Sequence, residues 1–377
     1  MTTLEGLDLL AVAQQFLHQG RVLTLREYGS GNVNDTFLVT VSQNRTGPQQ
    51  AEAPQFILQR LNTAVFRKPS LVMANLAAVS EHVRRRLKVE PLEAGRRFEL
   101  PRVLPARDGQ VGVQDAAGSF WRALSFIEEA DTFDIIKDRE HAREVGYALG
   151  LFHRLLADLP PQALADTLPG FHVTPGYLQH YDEILAATTP PPTAEVKYCL
   201  KFIGERRALA YVLEEAQKQG RLRPRVIHGD PKVNNVMLDR AKGFAVALVD
   251  LDTVKPGLVH YDIGDCLRSG CNPSGEETQA WEEVRFDPEL GRAILEGYLP
   301  LARDFLTESD YAHLYDAIRL IAFELGLRFF TDYLAGNVYF KARHREHNLL
   351  RALVQFRLTE SIEAQAGAIR AMIRDLT

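Results

Sequence analysis

The chain has 377 residues, enough for two lobes around a sizeable buried core. Its composition, 46% hydrophobic and 25% charged, is ordinary for a globular protein. The formal net charge of −5 argues against a broad nucleic-acid-binding surface, although a small basic phosphate pocket is compatible with it.

Cysteine use and hydropathy indicate the compartment. The three cysteines, Cys199, Cys266 and Cys271, cannot all pair, and none stands in a CxxC metal-binding spacing. They are expected to be thiols packed as small apolar residues in a reducing environment. The sequence has no signal-peptide pattern and no run of 18 apolar residues that predicts a membrane span. We therefore expect a cytoplasmic protein that acts without a membrane.

The N-terminal third is predicted to be mostly β-structure. A helix over residues 4–19 ends at Gly20, and a second helix covers residues 70–88. Alternating apolar residues and turn signals predict strands around these helices, at Leu23–Tyr28, Asn34–Val41, Phe56–Arg60, Val103–Pro105, Gln110–Gln114 and Ser119–Ile127.

The first two strands are joined by a glycine-rich turn that contains Gly29, Ser30, Gly31 and Asn32. Such a turn can close over nucleotide phosphates and donate backbone N–H groups to them. The same residues also suit an ordinary hairpin connection. The phosphate-loop interpretation is favoured by the carboxylates found further along the chain.

From residue 139 the apolar period becomes helical, with Ala142, Val145 and Leu149 on one face. Further helices are predicted over residues 177–187, 194–218, 288–306, 308–337 and 345–375. Strands with one helix followed by helices with one short hairpin make an α+β protein of two lobes. A small substrate would be bound in the cleft between them.

The stretch from Arg225 to Asn235 has the pattern of a phosphoryl-transfer site. An apolar strand ends at His228, and Asp230 and Asn235 follow five positions apart. A second strand over residues 244–249 is followed by Asp250. One carboxylate can take the proton of an attacking hydroxyl, while an amide oxygen and a second carboxylate hold Mg²⁺ against the nucleotide phosphates. Protein-kinase catalytic loops use the same interval between base and metal ligand.

Asp and Asn after a strand are also common turn residues, so no single one of them identifies the site. The agreement of strand ends, spacing and chemistry favours the catalytic interpretation. His228 is expected to orient the loop by hydrogen bonding rather than to react. Asp262 and Asp265, beyond the second strand, are expected to brace the loop, with Arg268 as a candidate partner.

These motifs resemble a known family. His228-Gly229-Asp230 with Asn235, followed by Asp250-Leu251-Asp252, is similar to the aminoglycoside phosphotransferase superfamily of small-molecule kinases. Three longer motifs resemble the bacterial N-acetylhexosamine 1-kinases: Asp250 to Gly257 followed by Tyr261 to Asp265, Leu327 to Leu334, and Tyr339 to Lys341. The resemblance runs from about residue 20 to about residue 360.

The resemblance implies a bilobal protein-kinase-like fold. Residues 1–127 would form an antiparallel-sheet lobe that binds nucleotide, and residues 128–377 a larger helical lobe for catalysis and substrate. The implied reaction is transfer of the γ-phosphoryl group of ATP, with Mg²⁺, to the anomeric hydroxyl of an N-acetylhexosamine. Asp230 would be the catalytic base and would orient the sugar, and Asn235 and Asp250 would hold the metal.

The nucleotide side departs from the wider superfamily at one position. Kinase-like folds place a phosphate-binding lysine on the third strand, where this chain has Gln59 and Arg60. Adjacent strand residues face opposite ways, and a guanidinium suits phosphate oxygens, so we predict that Arg60 faces the nucleotide. The backbone of Phe126 to Glu128 would meet adenine, and Lys232 would reach the γ-phosphate as a point charge.

The substrate side is expected to include Asp252, Arg328 and Tyr339 besides Asp230. Asp252 lies two residues beyond Asp250, so on a continuing strand it would point to the same side and assist the metal or bind sugar. The resemblance implies that Arg328 and Tyr339 bind sugar hydroxyls. The alternative is ordinary helix packing, with Arg328 paired to Glu324 at helical spacing.

Two other functions fit the sequence. The chain could phosphorylate a different small alcohol, of the aminoglycoside, choline or homoserine type. It could also be a pseudokinase that binds a ligand without transferring phosphate, which the intact Asp230, Asn235 and Asp250 oppose. The expected partner is a small-molecule sugar, with no nucleic acid and no protein partner.

Overall fold

The structure is a computed structural model, and it describes residues 8–29, 33–42 and 53–377. The chain forms two compact units. The first comprises Met1–Arg84 and Glu99–Glu128, and the second comprises Arg85–Phe98 and Glu129–Thr377. The first contains an antiparallel sheet and the second is mainly helical. The predicted α+β class, with a sheet lobe followed by a helical lobe, is confirmed.

The first unit is built on one antiparallel sheet with strand order β1-β2-β3-β6-β4 and a short β5 on β6. Its apolar face forms one core cluster with the first helix and the residues just after it, including Val12, Phe16, Phe37, Leu58 and Trp121. Alternation along β3 therefore puts even-numbered residues on this face and odd-numbered residues on the other. The elements are α1 (Leu9–Gln14), β1 (Val22–Glu27), β2 (Asp35–Val41), β3 (Gln55–Leu61), α2 (Pro69–Val89), β4 (Val103–Leu104), β5 (Val113–Gln114) and β6 (Phe120–Ser125).

The second unit surrounds a long central helix, α10, which packs against α4, α7 and α11. Two short sheets, β10-β9-β7 and β11-β8, lie among its helices. Its elements are β7 (Ala130–Asp131), α3 (Arg139–Leu156), α4 (Thr174–Ala187), α5 (Ala194–Arg206), α6 (Val212–Lys218), β8 (Arg225–Ile227), β9 (Val236–Asp239), β10 (Ala245–Leu248), β11 (Lys255–Gly257), α7 (Val259–Gly270), α8 (Pro288–Ala302), α9 (Glu308–Ala312), α10 (Leu314–Leu334), α11 (His347–Ala364) and α12 (Ala366–Leu376).

Three predicted long helices are each two helices in the structure. The predicted helix over 194–218 is interrupted by a 3-10 segment, Arg207–Tyr211, and those over 308–337 and 345–375 break near residues 313 and 365. None of these breaks contains a glycine or proline, so the sequence carries no break signal there. The strands β7, β9 and β11 and the helix α7 were not predicted; the three strands are only two to four residues long.

Helices α3 and α8 approach each other closely through glycine. A Cβ atom on Gly146 would lie 1.9 Å from the carbonyl oxygen of Ile294, and one on Gly297 would lie 2.0 Å from that of Arg143. Any larger residue would push the helices apart. This contact fixes the position of α3. The helix carries a buried histidine, His153, whose Nε2 contacts Asp262 at 2.9 Å.

Cys199, Cys266 and Cys271 are buried and unpaired, so they pack as small apolar residues, as predicted. In the described part of the chain, no helix is both long and apolar enough to cross a membrane.

Candidate active site

The β9–β10 hairpin brings Asn235 and Asp250 together. Val236 is opposite Leu248 in the register, and beyond this pair the amide of Val249 donates to the carbonyl of Asn235 at 2.9 Å. At the other end, the Asp239 carboxylate accepts the amides of Ala241 and Lys242, which closes the turn. A local hairpin therefore places the two proposed metal ligands side by side at its open end.

The loop before this hairpin contains a glycine that no other residue could replace without strain. Gly229 has φ +88°, and a Cβ there would lie 2.8 Å from both the carbonyl oxygen and the Cβ of Thr253. The Thr253 hydroxyl donates to the carbonyl of His228 at 2.7 Å. The loop is thus pressed against the segment that follows Asp250.

Asp262, in the first turn of α7, braces the loop from below. Its carboxylate accepts the amides of His228 (2.6 Å) and Gly229 (2.8 Å) and a hydrogen bond from His153 Nε2 (2.9 Å). Burial alone would raise the pKa of Asp262, but the contact with His153 and the two amides hold it below its ordinary value. The predicted bracing role of Asp262 is confirmed.

Asp265 has a different partner, as it forms an ion pair with Arg268 at 2.8 Å. His228 also has a structural role. Its Nε2 contacts the carbonyl of Val249 at 3.0 Å, and its Nδ1 accepts the amide of Asp230 at 3.3 Å. Because Nδ1 accepts a hydrogen bond, it carries no proton, and burial lowers the pKa of His228 in agreement.

Asp230 lies between Lys232 and Asn235. Lys232 Nζ is 2.9 Å from Asp230 Oδ2, and Asn235 Nδ2 is 2.7 Å from the Asp230 carbonyl and 3.3 Å from Oδ2. Burial would lower the pKa of Lys232, but the charges of Asp230 and Asp250 raise it well above its usual range. The four residues therefore form one electrostatic cluster.

The donor set suits Mg²⁺. The Asn235 amide nitrogen must face the Asp230 oxygens, which leaves its oxygen for a cation. Asp250 is exposed at the hairpin end. Within residues 8–29, 33–42 and 53–377 no three His, Cys, Asp or Glu side chains form a metal-binding group. Mg²⁺ commonly binds one or two protein oxygens and completes its shell with water and substrate phosphates, which this pair permits.

We predicted that Asp252 points to the same side as Asp250 on a continuing strand, and this prediction is wrong. Strand β10 ends at Leu248, Asp250 has a left-handed backbone with φ 61° and ψ 56°, and Leu251–Thr253 is a 3-10 turn. Because two-residue alternation applies only to extended chain, the two carboxylates do not share a strand face. Asp250 is exposed and Asp252 is buried.

Arg328, on α10, has a distinctive environment. The carbon of its guanidinium lies 4.9–6.0 Å from the centroids of four aromatic rings: Tyr177, Phe171, Phe340 and Tyr339. No described residue forms an ion pair or hydrogen bond with this guanidinium. Burial opposes its charge, but nearby tyrosines and the carboxylates of Glu324 and Asp230 hold its pKa above the ordinary value. Arg328 therefore lies within electrostatic range of Asp230.

The alternative partner of Arg328, Glu324, is engaged elsewhere. It accepts hydrogen bonds from His172 Nδ1 (2.8 Å) and from the Thr174 hydroxyl (2.7 Å). The helical i,i+4 ion pair that would have made Arg328 an ordinary packing residue is thus not formed.

Tyr339 lies on a loop folded around one carboxylate. Asp332 accepts the amides of Val338, Tyr339 and Phe340 at 2.8–3.0 Å, together with the Asn348 side chain at 2.9 Å. Tyr339 itself is 58% exposed, and its neighbour Phe340 packs on Phe329. The loop supplies two of the four rings around Arg328.

Apart from Lys232, the residues predicted to bind nucleotide belong to the first unit. Gly29 has φ +76°, whereas Ser30, Gly31 and Asn32 are outside the described residues. Phe126 and Glu128 follow β6, where the chain passes from the first unit to the second, and the Phe126 ring meets Tyr28 edge-on at 5.8 Å.

Arg60 and Gln59 are on opposite faces of the sheet. Arg60 is engaged with Asp35, its cross-strand partner, at 2.8 Å. Gln59 accepts from the buried Arg122 at 2.8 and 3.0 Å on the other face. Contact of Arg60 with nucleotide stays a prediction, and it would require the guanidinium to be shared with Asp35.

Comparison with known proteins identifies the family. The profile of the phosphotransferase enzyme family matches residues 24–307. The chain belongs to this family. It is therefore a small-molecule kinase of this family.

Solved structures share the fold at low sequence identity. A microcompartment-associated aminopropanol kinase is 15% identical, with TM-score 0.57 over 92% of this chain and 93% of its own. An aminoglycoside phosphotransferase from Alicyclobacillus acidocaldarius is 14% identical, with TM-score 0.57 over 99% and 100%. A spectinomycin phosphotransferase, solved with ADP and spectinomycin, is 11% identical, with TM-score 0.53 over 92% and 94%.

Sequence reasoning missed several residues of this phosphotransferase site. Phe171, His172 and Thr174 lie in or just after a proline- and glycine-containing connection that gave no motif. Tyr177 is at the start of a predicted helix. Asp332 and Phe340, by contrast, lie inside motifs that carried the resemblance, so a closer reading of those motifs could have selected them.

Proposed function

We propose that this phosphotransferase transfers the γ-phosphoryl group of Mg-ATP to the anomeric hydroxyl of an N-acetylhexosamine, giving the sugar 1-phosphate. The observation that supports it most is Arg328. It is a guanidinium within electrostatic range of Asp230, surrounded by four aromatic rings and without an acidic partner among the described residues.

Such a group favours a neutral, oxygen-rich acceptor. A guanidinium offers five N–H donors, which suit hydroxyl and amide oxygens, and the rings give apolar surface for a sugar. A fixed positive charge at short range repels an ammonium group, because the interaction is only weakly screened in a buried site. The aminopropanol kinase with the same fold acts, by its name, on an acceptor that carries an amine. The site here is unsuited to that class.

The proposed reaction uses the cluster around Asp230. The Asp230 carboxylate orients the anomeric hydroxyl and takes its proton as the hydroxyl oxygen bonds to the γ-phosphorus. The bond between that phosphorus and the β–γ bridging oxygen breaks, and ADP leaves. Lys232, 2.9 Å from Asp230 here, would move to the γ-phosphate. Asn235 and Asp250 would hold Mg²⁺, which neutralises phosphate charge when bound.

Product analysis tests the proposal. The purified protein is incubated with Mg-ATP and a panel of reducing sugars, amino alcohols and aminoglycosides, and products are examined by NMR. We expect phosphorus coupled to the anomeric proton of N-acetylglucosamine or N-acetylgalactosamine, and no reaction with their methyl glycosides. A 6-phosphate product, or turnover of amine-bearing alcohols alone, would overturn the proposal.

An Arg328 variant tests the observation itself. Arg328→Met keeps an unbranched apolar stem and removes the guanidinium with its charge, so we expect the sugar KM to rise about 10–150-fold, the range for a lost charged hydrogen bond. The nucleotide KM should change little. Arg206→Met is the control, because Arg206 also stacks on a ring, Phe202 at 3.8 Å, but on another helix. An unchanged sugar KM in Arg328→Met would remove the support.

A second acceptor class is favoured by the same residue. A guanidinium binds carboxylates in a two-pronged geometry, so a small alcohol of the homoserine type also suits Arg328 if its carboxylate meets the guanidinium and its ammonium group points away from it. Including homoserine in the panel separates the two, because only a sugar gives an anomeric phosphate.

A further inference from the structure

The residue with the most unusual role outside the proposed chemistry is His172. It precedes α4, and its imidazole is 4% exposed. Its backbone is left-handed, with φ +65°, which is uncommon for a residue other than glycine, although histidine adopts it more often than most residues do. The surroundings of this buried side chain hold it in that conformation.

Both ring nitrogens of His172 face oxygen acceptors. Nε2 lies 2.7 Å from the carbonyl of Gly229, and Nδ1 lies 2.8 Å from Glu324 Oε1. A peptide carbonyl only accepts, and so does an ionised carboxylate. The ring must therefore carry both protons and is an imidazolium paired with Glu324. Burial alone would lower the pKa of His172, but Glu324 raises it above the ordinary value, which agrees with this charge state.

The carbonyl that His172 binds belongs to the residue directly before the proposed catalytic base, Asp230. The Gly229 carbonyl belongs to the peptide whose nitrogen is that of Asp230, and this nitrogen donates to His228 Nδ1 at 3.3 Å. On its other side, the Gly229 amide is held by Asp262. The peptide that carries Asp230 is thus fixed at its oxygen by His172 and at its nitrogen by His228.

The other partner of His172 is on the helix that carries Arg328. Glu324 is one helical turn before Arg328 on α10, and its second oxygen is held by Thr174 at the start of α4. The Tyr261 ring stacks on the His172 ring, with the two ring centroids 5.3 Å apart. A single buried cation therefore connects the catalytic loop, α4 and α10.

We infer that His172 is a positioning residue that sets the distance between the catalytic Asp230 and the substrate-binding Arg328. The inference rests on the proposed function, because it assigns those two roles. His172 does not touch the substrate. It acts through the Gly229–Asp230 peptide on one side and through Glu324 and α10 on the other.

The test uses His172→Gly, which removes the ring and suits the left-handed backbone. We expect kcat to fall about 10²-fold, the scale of a misplacement of about 1 Å at a reacting centre, with the nucleotide KM nearly unchanged. Imidazole added to this variant should restore kcat at least about tenfold, because its cation can bridge Glu324 and the Gly229 carbonyl. 1-Methylimidazole, whose cation has one N–H, should restore less.

A second variant and a control make the outcome decisive. Glu324→Gln keeps the volume and leaves His172 in place, and it should lower kcat about tenfold even if His172→Gly does not fold. His313→Asn is the control: His313 is 7% exposed and also contacts two partners, Ser309 and Arg221, so it reports a stability loss alone. Its kcat per folded molecule should equal that of the wild type.

The inference is overturned if imidazole gives no recovery and Glu324→Gln keeps the wild-type kcat. It is also overturned if folded His172→Gly stays within about threefold of the wild type. All variants are assayed with the acceptor that the wild type turns over fastest. Whether that acceptor is an N-acetylhexosamine tests the proposed function separately, so the two failures are distinguishable.

Discussion

The Asp230 carboxylate contacts one charged group, the Lys232 ammonium, and one neutral group, the Asn235 amide. Lys232 and the Asn235 amide contact the same oxygen, Oδ2, so Oδ1 is the oxygen available to an incoming hydroxyl. A carboxylate with one oxygen fixed and the other available is oriented before the substrate arrives. This is the geometry expected of a general base whose partners act by positioning it.

Asp230→Asn should therefore lower kcat by about 10²–10⁴-fold, the usual contribution of a positioned base, with a milder effect on the nucleotide KM. The variant should also lower the pKa of Lys232, because the Asp230 charge is one of the groups that raise it. Steady-state kinetics and pH titration of Lys232 reactivity measure the two effects. Near-normal kcat in a folded variant would show that Asp230 is not the base.

At the scale of one element, the loop after α10 depends on Asp332. Three successive amides and the Asn348 side chain converge on a carboxylate that is 5% exposed. The loop contains no regular structure, so these bonds replace the backbone ladder that a strand or helix would supply. The position of Tyr339 and Phe340 beside Arg328 therefore follows from one side chain.

Asp332→Asn should loosen this loop, because an amide has one acceptor oxygen where the carboxylate has two. We expect the acceptor KM to rise about tenfold or more, since several hydrogen bonds to a charged group are weakened, while the nucleotide KM is unchanged. Asp316→Asn is a matched control on the same helix, where the carboxylate forms an ion pair with Arg319 at 3.3 Å. Equal kinetic effects in both variants would contradict the assignment.

At the scale of the whole molecule, binding of nucleotide and metal should raise the free energy of unfolding. A ligand that binds only the folded state at 100 times its Kd adds about 2.7 kcal/mol to the free energy of unfolding. We expect Mg-ATP to raise Tm, and removal of Mg²⁺ with EDTA to reduce that rise. Differential scanning fluorimetry at fixed nucleotide concentration measures both.

The metal-dependent part of this shift should fall clearly in Asp250→Asn, because an amide oxygen is a weaker ligand for Mg²⁺ than a charged carboxylate. Asparagine tolerates the left-handed backbone at this position, with φ 61°, so the substitution removes charge without adding strain. Asp250→Ala is less informative, because it combines the loss of a ligand with an unfavourable backbone. A full Mg²⁺-dependent shift in Asp250→Asn would show that Asp250 does not hold the metal.

The sequence alone determined the class of the protein and the order of its proposed catalytic residues. Period-two and helical patterns predicted the sheet and most of the helices, because those patterns depend only on which residues are buried. The spacing of Asp230, Asn235 and Asp250 predicted the phosphoryl-transfer cluster for a similar reason: a hairpin is a local structure, and its open end joins residues close in the chain.

The tertiary structure decided what depends on distant contacts. His172 is 57 residues from Gly229 and 152 from Glu324, so no local pattern could connect them. The same applies to the four rings around Arg328 and to the pairing of Arg60 with Asp35. The orientation of Asp252 was predicted wrongly because β10 ends at Leu248 and Asp250 has a left-handed backbone, which the sequence pattern does not reveal. Long-range packing sets such features, and it becomes visible only when the chain is folded.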